Sequence, residues 1–299
     1  MNTAKPIIAV FGATGRQGGG VVRALQRQGM FRVRAITRDA RKAEGLADEV
    51  VEADLRAPET LAPALAGAHG VFLVTNFWAP GADEKAEAEA AIAAAKQAGV
   101  AHLIWSTLPD VEAIAGGRFD VAHFTTKANV DAVVRAAGFP RHTFVEAPFY
   151  YQNLAGVMRP QPQADGSAAW TVPMDPDARV LHMGDIDELG SVVAGAFANP
   201  ERVGDGQHLA HAGDLKSWSD LAAILNEQGH NVRVQQVPGE VYDGFYPGAV
   251  EMRHMMQYFA AHTYFGPEAA QKIERAREVA TQPATSFADW AREHLQPGA

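Results

Sequence analysis

The spacing of three glycines near the start of the chain constrains its fold more than any other feature. Residues 8–23 read IAVFGATGRQGGGVVR, where Gly12, Gly15 and Gly18 form a GxxGxxG pattern after an apolar run. Glycine permits a positive φ in a tight turn and lets backbone N–H groups approach a phosphate closely. The pattern is weak alone, but a helix-compatible segment follows it and a further strand begins at Arg32. This βαβ context predicts a dinucleotide-binding loop.

Short apolar runs alternate with amphipathic segments through the first half of the chain. Strands that alternate with helices predict parallel strands joined by right-handed crossovers. We therefore expect an α/β fold with a doubly wound Rossmann sheet. The predicted strands cover residues 7–11, 32–37, 50–52, 70–74, 102–106 and 143–146. The predicted helices cover residues 18–28, 58–66, 84–98 and 125–137.

The character of the sequence changes after Pro148, where aromatic residues, prolines and glycines become mixed. We expect residues 1–150 to form the nucleotide-binding domain, and residues 151–299 to form a smaller α+β lobe that also returns segments to the first domain. The elements predicted in this lobe are a helix capped by Asp185 or Asp187, a helix over 217–229 capped by Ser217, a strand over 232–237 and a helix over 287–295.

Composition excludes several classes of protein. Of the 299 residues, 47% are hydrophobic and 20% are charged, which is enough apolar material for a buried core. A net charge of -9 lacks the basic footprint of nucleic-acid binding, so no direct contact with DNA or RNA is expected. The chain has no cysteine, which removes disulfides, thiolate metal sites and thiol nucleophiles. No signal peptide or apolar run of about 18 residues is seen, so we expect a cytoplasmic protein outside the membrane.

The end of the second strand bears on which dinucleotide binds. In the simplest NAD fingerprint, an acidic residue about 20 positions beyond the glycines accepts hydrogen bonds from the ribose hydroxyls. Arg38 stands 20 residues after Gly18. Because a guanidinium there can bind a 2′-phosphate in bidentate fashion, the sequence predicts NADP(H). Two alternatives remain: Asp39 serves the ribose, or the segment RDARK is simply the solvated start of a helix.

Further cofactor contacts are predicted around the same sheet edge. Lys42 or Arg41 could add positive charge near the 2′-phosphate, and Arg16 lies within plausible reach of it. Asp54 and Leu55 follow the third strand and could contact the adenine, although Asp54 could equally cap the next turn. The loop residues predicted to hold the pyrophosphate are Gly12, Thr14, Gly15, Arg16, Gln17 and Gly18.

Seven segments follow one another in the order found in a known family. They are GATGRQGGGVVRAL, VRAITRDARK, VEADL, VFLVTNFW, LIWSTLPDV, HFTTKANVD and EAPFYYQNL. The chain resembles the NmrA-like proteins, atypical members of the short-chain dehydrogenase/reductase superfamily, over essentially its whole length. The resemblance implies NADP(H) binding in a Rossmann domain and a substrate or regulatory cleft against a smaller C-terminal lobe. It also implies that Asn76 and Phe77 border the cofactor and that Lys127 reaches the nicotinamide ribose.

The segment HFTTK stands where active short-chain dehydrogenases carry Tyr-x-x-x-Lys, a pair that shares one helical face. His123 replaces the tyrosine; an imidazole can transfer protons near neutral pH, or it can simply form a pocket wall. Lys127 corresponds to the lysine of this pair. The alternative is that Lys127 is simply an exposed lysine on a helix. Ser106, at the end of its strand, stands where a substrate-polarising hydroxyl would lie, or it bonds only within its turn. These three residues are the catalytic candidates.

Two other residue groups deserve a prediction. Tyr150 and Tyr151 open the second lobe and could line the cleft and supply a phenol, or they could be core packing. His208 and His211 lie in an apparent strand that would place their rings on opposite faces. Because no cluster has the spacing of metal ligands, no metal site is expected.

Two functions from different classes fit these features. The first is an NADPH-dependent reductase of a small electrophile in the inter-lobe cleft, such as a quinone, an enone or a carbonyl compound. The second is a non-catalytic NADP(H)-sensing regulator, which in an acidic chain without a DNA-reading motif would act through a protein partner. His123 favours sensing, whereas Ser106 and Lys127 favour chemistry. The reductase is the preferred interpretation, with its substrate and the oligomeric state left open.

Overall fold

The apolar runs of the sequence become strands in the structure, a computed structural model that describes residues 4–297. The strands are β1 Ile7–Val10, β2 Arg32–Thr37, β3 Glu49–Glu52, β4 Ala68–Leu73, β5 His102–Thr107, β6 Arg141–Glu146, β7 Phe149–Tyr150, β8 Gln161–Pro162, β9 Ala168–Val172, β10 Leu181–Gly184, β11 Asp205–Ala210, β12 Asp214–Lys216 and β13 Val232–Gln236.

The helices connect these strands and cover them. They are α1 Arg16–Gln28, α2 Leu61–Leu65, α3 Glu84–Gln97, α4 Val111–Ala115, α5 Ala122–Ala137, α6 Tyr151–Ala155, α7 Leu189–Ala198, α8 Pro200–Val203, α9 Trp218–Glu227, α10 Gly239–Tyr242, α11 Ala249–His262, α12 Ala269–Val279 and α13 Phe287–His294. Of the helices in residues 4–297, none is both long and apolar enough to cross a membrane.

A seven-stranded sheet in the order β11-β6-β5-β4-β1-β2-β3 forms the centre of the fold. All its pairs are parallel, from β1 beside β2 to β11 beside β6. Two small mixed sheets, β12-β10-β7 and β13-β9-β8, belong to the second half of the chain. The predicted Rossmann sheet with a smaller α+β lobe is therefore confirmed. Because all its strands are parallel, their carboxyl ends meet at one edge, where α/β proteins bind ligands.

Segments beyond residue 150 return to the parallel sheet. Strand β11 pairs with β6, and α7 packs on α1 in one buried apolar cluster. The two helices approach closely at Gly20 and Gly190: a Cβ on Gly20 would lie 2.3 Å from the carbonyl oxygen of Asp187. A Cβ on Gly190 would lie 2.2 Å from the oxygen of Gly20. The division into residues 1–150 and 151–299 stays a prediction.

Most predicted elements are present, with shifted ends. Helix α1 begins at Arg16, before the predicted residue 18, because Gly15 is the extended residue that precedes the first helical turn. The predicted helix over 58–66 divides into a 3₁₀ turn, Pro58–Thr60, and α2. Helix α5 begins at Ala122 rather than at residue 125, which places His123 on the same helix as Lys127.

Candidate functional site

One cavity of about 1040 Å³ lies at the carboxyl edge of the parallel sheet and extends against the C-terminal lobe. It receives the loops that follow β1, β2, β3, β4 and β6, together with the first turns of α5 and α11. The predicted site residues that line it are Gly12, Thr14, Gly15, Arg16, Gln17, Gly18, Arg38, Asp54, Leu55, Asn76, Phe77, His123 and Lys127. Lys42 and Ser106 do not line it.

The glycine loop presents backbone donors to this cavity. Gly12 has φ +64, and the amide of Gly15 donates to the Gly12 carbonyl at 2.8 Å. A Cβ at Gly18 would lie 2.2 Å from the same carbonyl oxygen, so only glycine fits there. Gly15 contributes no side-chain cap, and the amides of Arg16, Gln17 and Gly18 have no backbone acceptor among residues 4–297. Unpaired amides at a helix N-terminus form a binding site for an anion.

Arg38 directly follows β2. It is exposed, lines the cavity and makes no hydrogen bond or ion pair with the described residues. Asp39, the alternative ribose ligand, is bound instead by the Arg41 guanidinium, with Nε 3.0 Å from Oδ1. That hydrogen bond lowers the pKa of Asp39. Lys42 is exposed and sits outside the cavity wall, so its predicted contact has no support in this geometry.

Two further loops complete this part of the wall. Asp54 lines the cavity while its Oδ1 accepts the amide of Arg56 at 3.0 Å, so the predicted capping role and a wall position coexist. Leu55 stands beside it. In the loop after β4, Asn76 uses its Oδ1 to accept the amide of Trp78 at 3.1 Å.

Lys127 is buried in the wall, not exposed. Its Nζ donates to Glu84 Oε1 at 2.5 Å and to the carbonyl and hydroxyl oxygens of Thr75, each at 3.1 Å. The Thr75 hydroxyl in turn donates to Glu84 Oε1 at 2.7 Å. Burial lowers the pKa of Lys127, and the neighbouring Glu84 charge opposes this effect. The ammonium therefore belongs to a closed network of three residues.

His123 joins α5 to the C-terminal lobe. Its Nδ1 lies 2.6 Å from Glu251 Oε1, and the backbone amide of His123 donates to the same oxygen at 3.3 Å. The hydrogen bond from His123 lowers the pKa of Glu251. The imidazole centroid also lies 5.2 Å from the ring of Trp78 and 6.0 Å from that of Phe77. His123 is thus a wall residue with one ring nitrogen already engaged.

Ser106 lies behind the wall and reaches the cavity only through Gln17. Its hydroxyl donates to Gln17 Oε1 at 2.7 Å, and Gln17 Nε2 donates to the Tyr150 phenol at 2.8 Å. Tyr150 itself lines the cavity. Tyr151, by contrast, is fully buried and donates to Asp214 at 2.8 Å, so of the two tyrosines only Tyr150 meets the cleft.

The far end of the cavity is apolar and is formed from both halves of the chain. Its side chains include Trp78, which is 64% exposed, and Phe149 at the lobe boundary. Three methionines continue this surface: Met158, Met252 and Met255. Flexible thioethers and flat aromatic faces suit an apolar, ring-shaped ligand.

Sequence reasoning missed the carboxylates that hold the site. Glu84 was expected only as the start of an alanine-rich helix, and Glu251 was not singled out. No local sequence motif marks either carboxylate, because the partner of each is distant in sequence. Glu84 binds Lys127, 43 residues away, and Glu251 binds His123, 128 residues away. The predicted strand holds only one of the two histidines. His208 lies in β11 with its Nδ1 2.9 Å from Glu146, whereas His211 follows the end of β11 and lies 3.9 Å from Glu188. Within residues 4–297, no group of three or more metal-ligating side chains is present.

Comparison with known proteins gives a consistent picture. A model of the NmrA-like family matches residues 4–291. The NmrA-like family domain-containing oxidoreductase FrzB from Cladobotryum sp is 31% identical over 309 aligned residues, covering 92% of each chain.

Solved structures extend the likeness to the fold. NmrA, described as a negative transcriptional regulator, aligns with a TM-score of 0.81 at 25% identity, covering 97% of this chain and 95% of its own. An NADPH-dependent quinone oxidoreductase from Escherichia coli, solved with NADPH, aligns with a TM-score of 0.77 over 97% of this chain and 100% of its own. At 19% identity, that second likeness concerns the fold alone.

Proposed function

The chain belongs to the NmrA-like family, and we propose that it is an NADP(H)-dependent oxidoreductase that reduces a small electrophile such as a quinone, an enone or a carbonyl compound. One observation carries the proposal. A single cavity joins a phosphate-type anion site, at the glycine loop and Arg38, to an apolar aromatic end. When bound there, the dinucleotide would supply the hydride, and the apolar end would hold the acceptor.

The residues present fit an NADP(H) cofactor. Free amides at the start of α1 provide donors for a pyrophosphate, and the absence of a Cβ at Gly18 lets the helix start pack against the Gly12 carbonyl. Arg38 is unpaired among the described residues, whereas Asp39 is neutralised by Arg41. A cation without a competing carboxylate favours a 2′-phosphate over two free ribose hydroxyls. Asp54, Leu55, Asn76 and Phe77 would form the walls beside the adenosine and nicotinamide parts.

The chain's own polar groups would orient the reactants. Lys127 adds a positive charge to the wall, and its pairing with Glu84 keeps the ammonium in one place, where we propose that it faces the nicotinamide ribose. His123, held by Glu251, links α5 to α11 across the cleft. Because the contact between His123 and Glu251 spans the cleft, it would fix the width of the cavity and limit the entry of water.

The cofactor assignment is tested by calorimetry with NADPH and NADH. A charge-assisted hydrogen bond contributes about 1.5–3 kcal/mol, so Arg38→Ala should weaken NADPH binding by roughly 10- to 150-fold and leave NADH binding almost unchanged. Arg27→Ala is the control, since it removes an arginine charge from an exposed side chain that does not line the cavity and makes no ion pair with the described residues. Equal affinities of the unmodified protein for NADPH and NADH would refute the assignment.

Turnover is tested by following NADPH absorbance with a panel of quinones, enones and aldehydes. Oxidation that depends on the acceptor supports the reductase. A second function, a non-catalytic NADP(H)-sensing regulator, is favoured by the bound state of His123, since the residue in the superfamily tyrosine position already binds Glu251. The similarity of this chain to NmrA, described as a negative transcriptional regulator, also favours this second function. Tight NADPH binding with no oxidation by any acceptor would support this second function and reject the first.

A further inference from the structure

The hydrogen bonds from Ser106 to Gln17 to Tyr150 run in one direction. Ser106 is 1% exposed, so its hydroxyl proton needs a protein acceptor. Among residues 4–297, Gln17 Oε1 at 2.7 Å is its side-chain partner. The opposite orientation of the Gln17 amide would leave the buried serine proton without an acceptor, which is costly. The serine therefore turns Gln17 Nε2 toward Tyr150.

This direction leaves the Tyr150 proton available. The phenol oxygen accepts from Gln17 Nε2 at 2.8 Å, and its own O–H has no acceptor among the described residues. Burial raises the pKa of Tyr150, so the phenol keeps its proton at neutral pH. Gln17 therefore fixes the position of the phenol oxygen. Because Tyr150 lines the cavity, its proton is available for a hydrogen bond to a ligand there.

Lys127, Tyr246 and Tyr264 also bring N–H or O–H groups to the cavity, but they are less suited to this task. The Lys127 ammonium already donates to Thr75 and Glu84. The Tyr246 hydroxyl is paired with that of Tyr242 at 2.8 Å. Tyr264 also lines the cavity, but no described residue hydrogen-bonds its phenol and thereby positions it.

We propose that Tyr150 donates a hydrogen bond, and then its proton, to the oxygen of a carbonyl or quinone acceptor, with Gln17 and Ser106 as positioning residues. This inference rests on the proposed reductase function and assigns a residue to the protonation that an acceptor with a reducible C=O group requires. In a carbonyl acceptor, the carbon gains a C–H bond with the hydride electron pair from the reduced nicotinamide, and the C=O π pair moves to oxygen. In a quinone, the hydride and its electron pair form an O–H bond at one oxygen, and the ring π electrons move to the other oxygen, which becomes the anion. The phenol O–H then breaks as its proton moves to that oxygen, and water in the cleft reprotonates the phenolate.

Two acceptors with different proton needs provide the kinetic test. A benzoquinone needs a proton on oxygen, whereas a cationic triarylmethane dye becomes neutral on accepting hydride and needs none. Tyr150→Phe should slow NADPH-dependent quinone reduction about 100-fold. The same variant should reduce the dye at nearly the wild-type rate. Tyr264→Phe is measured in parallel. An equal loss with both acceptors, or a larger loss of quinone reduction in Tyr264→Phe, overturns the assignment.

A binding measurement separates this inference from the reductase proposal. Calorimetry compares 1,4-naphthoquinone with naphthalene, which has the same rings without oxygen. Tyr150→Phe should weaken naphthoquinone binding by about three- to tenfold and leave naphthalene binding unchanged. If this result is found but the wild type oxidises no NADPH, the reductase function is rejected, while Tyr150 is still supported as the hydrogen-bond donor to the quinone oxygen.

Two further outcomes of the binding measurement would overturn the role of Tyr150. The first is naphthoquinone binding that is unaltered by Tyr150→Phe or absent from both proteins. The second is a loss of NADPH affinity in Tyr150→Phe, which would make the phenol a cofactor ligand instead. Ser106→Ala should show part of the loss of naphthoquinone affinity, because the Gln17 amide can then reverse its orientation. Full naphthoquinone affinity in Ser106→Ala would show that Ser106 is not a positioning residue.

Discussion

Replacing Lys127 with methionine tests the buried ion pair behind the cavity. Lys127 Nζ lies 2.5 Å from Glu84 Oε1, and the two side chains are 11% and 2% exposed. Methionine keeps much of the apolar length but removes the ammonium. Glu84 would then retain its 2.7 Å bond from the Thr75 hydroxyl, while its Oε2, already without a hydrogen-bond partner, would belong to an uncompensated buried charge.

The size of the effect follows from this burial. Removing one member of a buried ion pair costs about 3–5 kcal/mol. An unfolding entropy of roughly 2.1 cal/mol/K per residue gives about 0.6 kcal/mol/K for a chain of 299 residues. Lys127→Met should therefore lower the Tm by about 5–8 °C, measured by circular dichroism without added cofactor. Lys85→Met is the control: its side chain is 61% exposed, so the free energy of unfolding should change by less than about 0.5 kcal/mol.

A double substitution decides whether the charge itself is responsible. In Lys127→Met/Glu84→Gln neither charge remains, so the protein should recover part of the stability lost in Lys127→Met, with a coupling free energy of about 1–3 kcal/mol. Strictly additive losses would show that the two side chains act independently. A Tm for Lys127→Met within about 1 °C of the wild type would refute the argument from burial.

Two other predictions concern the scaffold. Gly20→Ala should lower the free energy of unfolding by about 1–3 kcal/mol or more, since its Cβ would lie 2.3 Å from the Asp187 carbonyl oxygen; urea denaturation should show a smaller loss for Gly19→Ala, where the nearest atoms are at 3.3 Å. Burial raises the pKa of Asp131 to about 8, so the folded protein keeps a proton that the unfolded chain loses above a pKa near 3.8. The contribution of Asp131 to stability should therefore fall as pH rises from about 4 to 8. Asp131→Asn lacks this contribution, so in urea denaturation the free energy of unfolding of the variant relative to the wild type should be higher at pH 8 than at pH 5; the same difference at both pH values would contradict the raised pKa of Asp131.

The parallel sheet could be predicted because its signals are local. Apolar runs bounded by glycines, with helices between them, identify buried strands and right-handed crossovers without long-range information. The seven segments shared with the NmrA-like family also imply a Rossmann domain, and the structure contains the corresponding seven-stranded parallel sheet. The ends of elements were less predictable: α1 begins at Arg16, since the extended conformation of Gly15 fixes the helix start and a glycine-rich sequence gives little local preference.

The side-chain network of the site could be predicted only in part. The family resemblance implies that Lys127 reaches the nicotinamide ribose, but it gives no sign of the partner Glu84, which begins a different helix and is buried only in the folded chain. Ser106 was expected to face a substrate, yet its hydroxyl contacts Gln17 behind the wall. Such pairings join residues far apart in sequence, and a single sequence carries no signal for them.

His123, which the resemblance to short-chain dehydrogenases predicts to replace their tyrosine, has a structural role of its own. Its Nδ1 lies 2.6 Å from Glu251 of the C-terminal lobe, so its ring joins the two halves of the cleft. A phenol is still present at the lobe boundary, where Tyr150 follows β6 and is held from the glycine loop by Gln17. The loop that we propose binds the pyrophosphate therefore also positions the proposed proton donor. The single hydrogen bond from Gln17 Nε2 to the Tyr150 phenol, 2.8 Å long, joins these two proposed roles.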